Sequence, residues 1–419
     1  MTAAQDPQAA LRAAHDAYEE FAQRGLDLDI TRGKPAPEQL DLSAELLTAV
    51  TGDDVHSPSG VDARNYGGAE GLRELRELFA PLLGVPADQL LAQGNSSLTL
   101  MRDALTFALL FGTPAGGAPW VEGRRAMLCP VPGYDRHFGL AEALGFELIS
   151  IPMDDEGSDL EAVRQAVADP AVKAMWTVPL YSNPTGVSMS ERRARDLLAL
   201  ETAAPDFTIL WDNAYGLHHL REPHAQPLDA LGLAAEAGRP DRVWEFASTS
   251  KITFAGSGVA FFASSPANVD WFLEHTAAGS IGPDKLNQLR HLRFFGDPEA
   301  VRAHMERQAA LIEPKFAAVE RALADGLSEG SAASWTRPHG GYFITLRVAP
   351  GTADRVVKLA SEAGVKLTPA GATHPYGLDP EDAYIRIAPT MPSLDDVRAA
   401  AEGLVACVRL AELEAAAAS

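Results

Sequence analysis

Apolar positions recur at helical spacing over residues 7–24, at Leu11, Ala14, Tyr18 and Phe21, and predict an N-terminal amphipathic helix. The stretch TRGKPAPEQLDLS (31–43) breaks that period with prolines and reads as extended chain. From about residue 61 to residue 300, helical patterns alternate with short, almost wholly apolar runs. RAMLCP (125–130), FELISIP (146–152), VKAMWTVP (172–179), FTILWDN (207–213), RVWEFAS (242–248) and VAFFASS (259–265) read as strands. Continuous apolar strands separated by helices predict a mostly parallel sheet covered on both faces, with ligands bound off the carboxyl ends of its strands. A long helical pattern follows over roughly 298–327. GGYFITLRV, GVKLTP and AYIRIAP then read as short strands, and a helix from Leu394 to about Leu413 precedes an alanine-rich tail expected to fray. The expected division is an N-terminal helix and extended segment (1–60) attached to the smaller unit or to a dimer arm, a large domain (61–300) and a smaller α+β domain (301–419).

Length agrees with that division, since 419 residues exceed one ordinary domain. The net charge of −22, from 35 basic and 57 acidic residues, repels nucleic-acid phosphates and anionic membrane surfaces, and no basic run offsets it. A small anionic substrate would need a locally positive pocket inside this acidic body. The two cysteines, Cys129 and Cys407, match neither a disulfide framework nor a CxxC site. The first residues lack a basic-then-apolar leader and no apolar run is long enough to span a bilayer, so a cytoplasmic protein is expected.

Four polar positions interrupt the apolar pattern at the strand ends. In STSKITF, Lys251 follows a strand; it is either a solvated surface lysine or an amine desolvated for Schiff-base chemistry. In WDNAYGLHH, Asp212 ends a strand three residues before Tyr215; it either caps the next helix or faces a pyridine nitrogen. In VPLYSNPTGV, Asn183 initiates a turn or hydrogen-bonds a phenolic oxygen of a ring held between Asp212 and Lys251. In AYIRIAP, alternation puts Arg386 on the opposite face from Ile385 and Ile387, facing solvent or a carboxylate. His218-His219 is not a metal motif, and no metal site is expected.

In this order, with NPTG ahead of them, these segments resemble the class I, fold type I aminotransferases dependent on pyridoxal 5′-phosphate (PLP). The resemblance runs from about Thr31 to Val397. TRGKPAPEQLDLS, NYGGAEGL, GNSSLTLM, CPVPGYDRHF, SKITFAGSGVAFFA and GPDKLNQLRHLRFF are most similar to the bacterial type Ic aspartate aminotransferases. It implies a large domain with a mostly parallel seven-stranded sheet, a smaller α+β domain and a homodimer. It implies ping-pong transfer between L-aspartate and 2-oxoglutarate, that is, amino-acid and dicarboxylic 2-oxo-acid substrates. By the same match Lys251 is the Schiff-base lysine and proton carrier, Asp212 pairs with the pyridinium nitrogen, and Asn183 and Tyr215 bond its phenolic oxygen. Tyr134 matches the aromatic residue stacked on the ring, although alone it reads as a core tyrosine. Asn95, Ser96, Ser97 and Ser248 match the phosphate seat, and Tyr66 the tyrosine that reaches it from the partner subunit. Arg386 matches the α-carboxylate clamp and Gly33 a glycine lining the substrate pocket.

The sequence departs from the class where an arginine eight residues after the lysine is replaced by Val259; Arg32, Lys34 and Lys285 are the candidate substitutes. The usual PG-x-x-F turn is altered to PAGATHPYG, and both changes agree with the type Ic pattern. For the second substrate carboxylate, Lys285, Asn287 and Arg290 are candidates, against the reading of an ordinary polar helix surface. Three other readings stay open: a transaminase for aromatic or 2-aminoadipate-type substrates, a PLP lyase on the same fold, and a PLP-sensing regulatory domain. About thirty residues before TRGKP are too few for the DNA-binding module of the last.

Overall fold

The computed structural model describes residues 7–418, and among these thirteen strands form three sheets. In chain order the first six are β1 (Leu28–Asp29), β2 (Leu90–Ala92), β3 (Ala126–Val131), β4 (Glu147–Asp154), β5 (Gly157–Ser158) and β6 (Val172–Thr177). There follow β7 (Thr208–Asp212), β8 (Val243–Ser248), β9 (Ala260–Ala263), β10 (Ser334–Trp335), β11 (Ile344–Arg347), β12 (Val365–Lys366) and β13 (Tyr384–Ile387). The large sheet has the order β2-β9-β8-β7-β6-β3-β4-β5. Its centre, β8 to β4, is parallel; at one edge β9 pairs antiparallel with both β8 and β2, and at the other the two-residue β5 turns back on β4.

Alternation along the parallel strands feeds two cores. Leu128, Met175, Ile209, Trp211, Val243 and Ala247 point to one face. Their neighbours Met127, Cys129, Ala174, Trp176, Leu210, Trp244 and Phe246 point to the other. A third core joins β11, β12 and β13 to Phe21 of the N-terminal helix Pro7–Ala22 and to the helix Leu394–Ala418. The thirty-residue helix Pro298–Leu327 links the units: Val301, Met305 and Ile312 pack on the large sheet, Phe316 to Leu327 on the small one. No helix among the described residues is long and apolar enough to cross a membrane.

Three local expectations need correction. Residues 31–43 are not extended throughout, because Pro37–Asp41 forms a helix. Pro37 pre-sets the first helical position, and the Ala36 amide donates to Gln39 Oε1 at 3.0 Å. The alanine tail does not fray before Ala418, in keeping with the helix propensity of alanine. The large sheet has eight strands where seven were expected, the additional one being the two-residue edge strand β5; β2, three buried residues, is too short for a period to show.

Candidate active site

Strands β7 and β8 deliver their polar residues to the same end of the sheet, as parallel neighbours must. Asp212 closes β7, is 4% exposed, and its Oδ2 takes a 2.9 Å hydrogen bond with His137 Nε2. Its Oδ1 is buried without a partner among the described residues. The next helix, Ala230–Glu236, is capped by Asp229, so Asp212 is not a cap. Tyr215 is buried, and burial followed by the Asp212 charge raises its phenol above the usual value. Lys251 Nζ lies 4.8 Å from the centre of the Tyr215 ring. Asn183, on the turn after β6, lies close enough to Tyr215 to act on that phenol. Both atoms of its side-chain amide are buried without a well-aligned partner among the described residues. Such unpartnered buried groups are costly in a folded chain.

The aromatic and cationic residues close a ring around this centre. Tyr134 precedes the helix Asp135–Ala143, and burial pushes its phenol up to about 12, with Lys251 opposing. His137, three residues on, stacks on Trp176 at 4.2 Å and 6° while it holds Asp212. Arg386 in β13 is only 7% exposed, so its face of the strand is not solvent. It bonds Asp135 Oδ1 from Nη1 at 2.9 Å and Thr368 Oγ1 from Nη2 at 3.4 Å, and lies 5.1 Å over the Phe343 ring. Phe343 meets Tyr215 edge-on and backs onto Gly33, where a Cβ would come within 2.4 Å of the ring.

The start of a long helix lies beside the lysine. Ser96 caps the fifteen-residue helix Ser97–Phe111 by accepting from the Thr99 amide. Asn95 Nδ2 donates to the Gly256 carbonyl, and Ser250 Oγ donates to the Asn95 carbonyl. The helix start is thus tied to the Lys251 turn, with Ser248 at the end of β8 alongside. Val259 is buried, its amide bonded to Thr249 Oγ1, so a side chain there packs inward. Two of the cations and amides singled out in the sequence have partners elsewhere. Lys285 Nζ donates to the Gly67 carbonyl at 2.5 Å, and Asn287 Nδ2 to the carbonyls of Ser257 and Gly258. Tyr66, beside Gly67, is 81% exposed and remote from its own chain's packing.

Several residues of this region carry no motif and escaped the sequence reading. His137 is one, although its i, i+3 spacing from Tyr134 on one helix face was a signal. Three buried histidines hold the turn that bears Lys251. His218 Nε2 lies 3.4 Å from the Lys251 carbonyl, and His304 Nε2 lies 2.8 Å from that of Ile252. His291 Nε2 meets the hydroxyls of Thr249 and Thr253 while its Nδ1 meets the Asn287 carbonyl. Tyr342 and Gln308 add donors to the carbonyls of Lys251 and Ile252. Burial keeps these histidines neutral, with His218 down to about 3 and His291 to about 4. No group of three or more metal-ligating side chains occurs among the described residues.

Taken together, an amine beside a buried carboxylate, unpartnered amide groups, an aromatic wall, a helix start and a buried guanidinium suit a planar, anionic, nitrogen-containing ring with a carboxylate substrate. Comparison with known proteins agrees. The sequence profile of the family described as aspartate amino-transferase matches residues 1–419. An aspartate aminotransferase of Corynebacterium glutamicum is 48% identical over 398 residues, spanning 95% of this chain and 92% of that protein. A crystal structure of an aspartate transaminase from the same organism superposes with a TM-score of 0.96 at 46% identity, covering 99% of this chain and 98% of that one. An alpha-aminoadipate aminotransferase from Thermus thermophilus shares the fold at 22% identity and a TM-score of 0.73, over 94% of this chain and 95% of that one.

Proposed function

The chain belongs to the aspartate amino-transferase family, and from that premise we propose how its own residues carry the reaction. It is a transaminase that moves the amino group of L-aspartate to 2-oxoglutarate, giving oxaloacetate and L-glutamate in a ping-pong cycle. Aminotransferases of this fold type use PLP, and our reading is that this chain binds it in the 61–300 domain. The observation that carries the reading is the set of buried, unpartnered polar atoms around Lys251: Asn183 Oδ1 and Nδ2, and Asp212 Oδ1.

Asp212 would supply the negative charge for a pyridinium nitrogen, with His137 fixing the orientation of that carboxylate. Asn183 and Tyr215 would bond the ring's phenolic oxygen, and Tyr134 would offer an aromatic face. Asn95, Ser96, Ser97 and Ser248 would hold the phosphate at a helix start, and Tyr66 would reach it from a second copy of the chain. When bound, the cofactor supplies an electron sink that acidifies the substrate Cα–H. Lys251 Nζ takes that proton and hands it on, and Arg386 holds the α-carboxylate while Gly33 keeps the pocket open. Lys285, whose Nζ donates to the Gly67 carbonyl, would read the second substrate carboxylate. A homodimer follows from the reading of Tyr66, 81% exposed, as a residue that serves a second copy of the chain. We place the enzyme in the cytoplasm, acting on free amino and 2-oxo acids.

The test is the visible spectrum of the purified protein before and after L-aspartate, with no oxo acid present. Loss of the band of the lysine-bound cofactor is expected, together with its absence in a folded Lys251→Ala variant that does not transaminate. A band that aspartate leaves unmoved would turn the substrate reading toward aromatic donors or lyase chemistry. Normal turnover by the Lys251→Ala variant would sink the central assignment.

A further inference from the structure

The clamp that this reading assigns to the substrate is already engaged by the protein itself. Arg386 spends its strongest hydrogen bond on Asp135 Oδ1, 2.9 Å from Nη1. Its other contacts are the longer bond to Thr368 Oγ1 and the face of Phe343. Its Nε is buried with no partner among the described residues. The two partners differ in depth: the guanidinium is 7% exposed and the Asp135 side chain 36%. Asp135 is thus the more exposed partner of the pair.

Asp135 opens the helix Asp135–Ala143, and an acid there is favoured by the helix dipole alone. The dipole accounts for a carboxylate at this position. It does not account for a buried guanidinium from a different sheet turned toward it across 251 positions of sequence. Asp135 also stands near the phenols of Tyr134 and Tyr215, both of which it raises. It therefore lies within the electrostatic reach of the reacting centre.

We propose that Asp135 is a place-holder for the substrate carboxylate: it occupies Arg386 in the ligand-free protein and gives way when an amino or oxo acid binds. The proposal rests on the reading of Arg386 as the carboxylate clamp. Two consequences follow from charge alone. Substrate affinity is reduced by the fraction of molecules in which the fork is taken. The displaced carboxylate stays nearby and repels the anion that replaced it, most strongly a dianion. Asp135 would thus set how tightly the site takes dicarboxylates, and would keep the cation paired between turnovers.

Succinate, an unreactive dicarboxylate, is the probe, titrated by calorimetry into the holoenzyme. Asp135→Asn keeps the shape and removes the charge. It should bind succinate about tenfold more tightly, the factor at stake when one charged hydrogen bond no longer competes. KM for L-aspartate and for 2-oxoglutarate should fall in parallel. Succinate affinity that is unchanged or weaker in Asp135→Asn overturns the proposal, because Asp135 would then orient Arg386 rather than block it. Asp135→Ala, at a partly exposed helix start, takes its place if the asparagine variant does not fold. Arg386→Lys is measured alongside: undiminished succinate binding there means that Arg386 is not the clamp, a failure distinct from that of the place-holder.

Discussion

Gly33 shows how a residue without a functional group can govern the site. A methyl group there would stand 2.4 Å from Phe343 Cζ and 2.7 Å from its Cε1, so the ring must move. That ring is the floor under the Arg386 guanidinium and the edge partner of Tyr215. The cost of such overpacking is about 1–3 kcal/mol, and on our proposal for Arg386 part of it falls on substrate binding, because the displaced ring underlies that guanidinium. Gly33→Ala is expected to raise KM for both carboxylate substrates several-fold more than it lowers kcat, and to lower Tm. Steady-state kinetics on the holoenzyme check this; wild-type KM values would mean that Phe343 yields without disturbing Arg386.

At the level of elements, the helix Ser97–Phe111 has two duties that one substitution separates. Ser96 satisfies the Thr99 amide, and loss of such a cap costs about 1 kcal/mol. The same hydroxyl belongs to our proposed phosphate seat. Ser96→Ala should therefore lower the Tm of the protein without cofactor and also weaken PLP affinity in a direct titration. A fall in Tm with unchanged affinity would reduce Ser96 to a cap. The elements were largely legible beforehand because buried parallel strands are apolar runs with polar ends: β6 to β9 begin within one residue of the expected positions. β2 was hidden because three residues hold no period, and the helix Pro37–Asp41 because its prolines read as breaks. The site divides in the same way. Lys251, Asp212, Asn183 and Arg386 stand in segments that interrupt a pattern. Asp135, His137, His291 and His304 sit on ordinary helix faces, and their partners lie far along the chain: 75 positions separate His137 from Asp212. Only the folded arrangement pairs them.

Across the whole molecule, buried titratable groups set a pH optimum for stability. His218, His219, His291, His304 and His374 are all pushed below the ordinary histidine value, first by burial, with His218 at about 3 and His219 and His291 at about 4. A group whose folded value is depressed stabilises the fold above its unfolded value, and that contribution is lost as pH falls toward the folded value. For these histidines the loss starts near pH 6.5 and continues down to about 4. Glu245 behaves in the opposite sense. Buried in β8 with Asn213 its one donor among the described residues, its carboxyl is pushed up to about 8. Its contribution is complete below the ordinary glutamate value and is lost as pH rises through about 8. Each proton is worth about 1.4 kcal/mol per pH unit. Between the ordinary glutamate and histidine values, five histidines oppose one glutamate, so stability rises with pH; above about 6.5 only the glutamate is left and stability declines toward 8. Denaturant unfolding from pH 4.5 to pH 8 should therefore peak near 6.5. Glu245→Gln should flatten the alkaline limb, and His291→Gln, whatever its stability at pH 7, should lose about 2 kcal/mol less than the wild type between pH 7 and pH 5, because the unfolded chain then has one fewer proton to gain. Three of these histidines grip the Lys251 turn, so the acid limb has a local reading as well. Protection factors of the amides at 249–253, corrected for the intrinsic slowing of exchange in acid, should fall below pH 6 before those of the strands of the large sheet. Uniform exchange across turn and sheet would show that these histidines titrate only with global unfolding, and that the turn is held by the sheet rather than by its clamps.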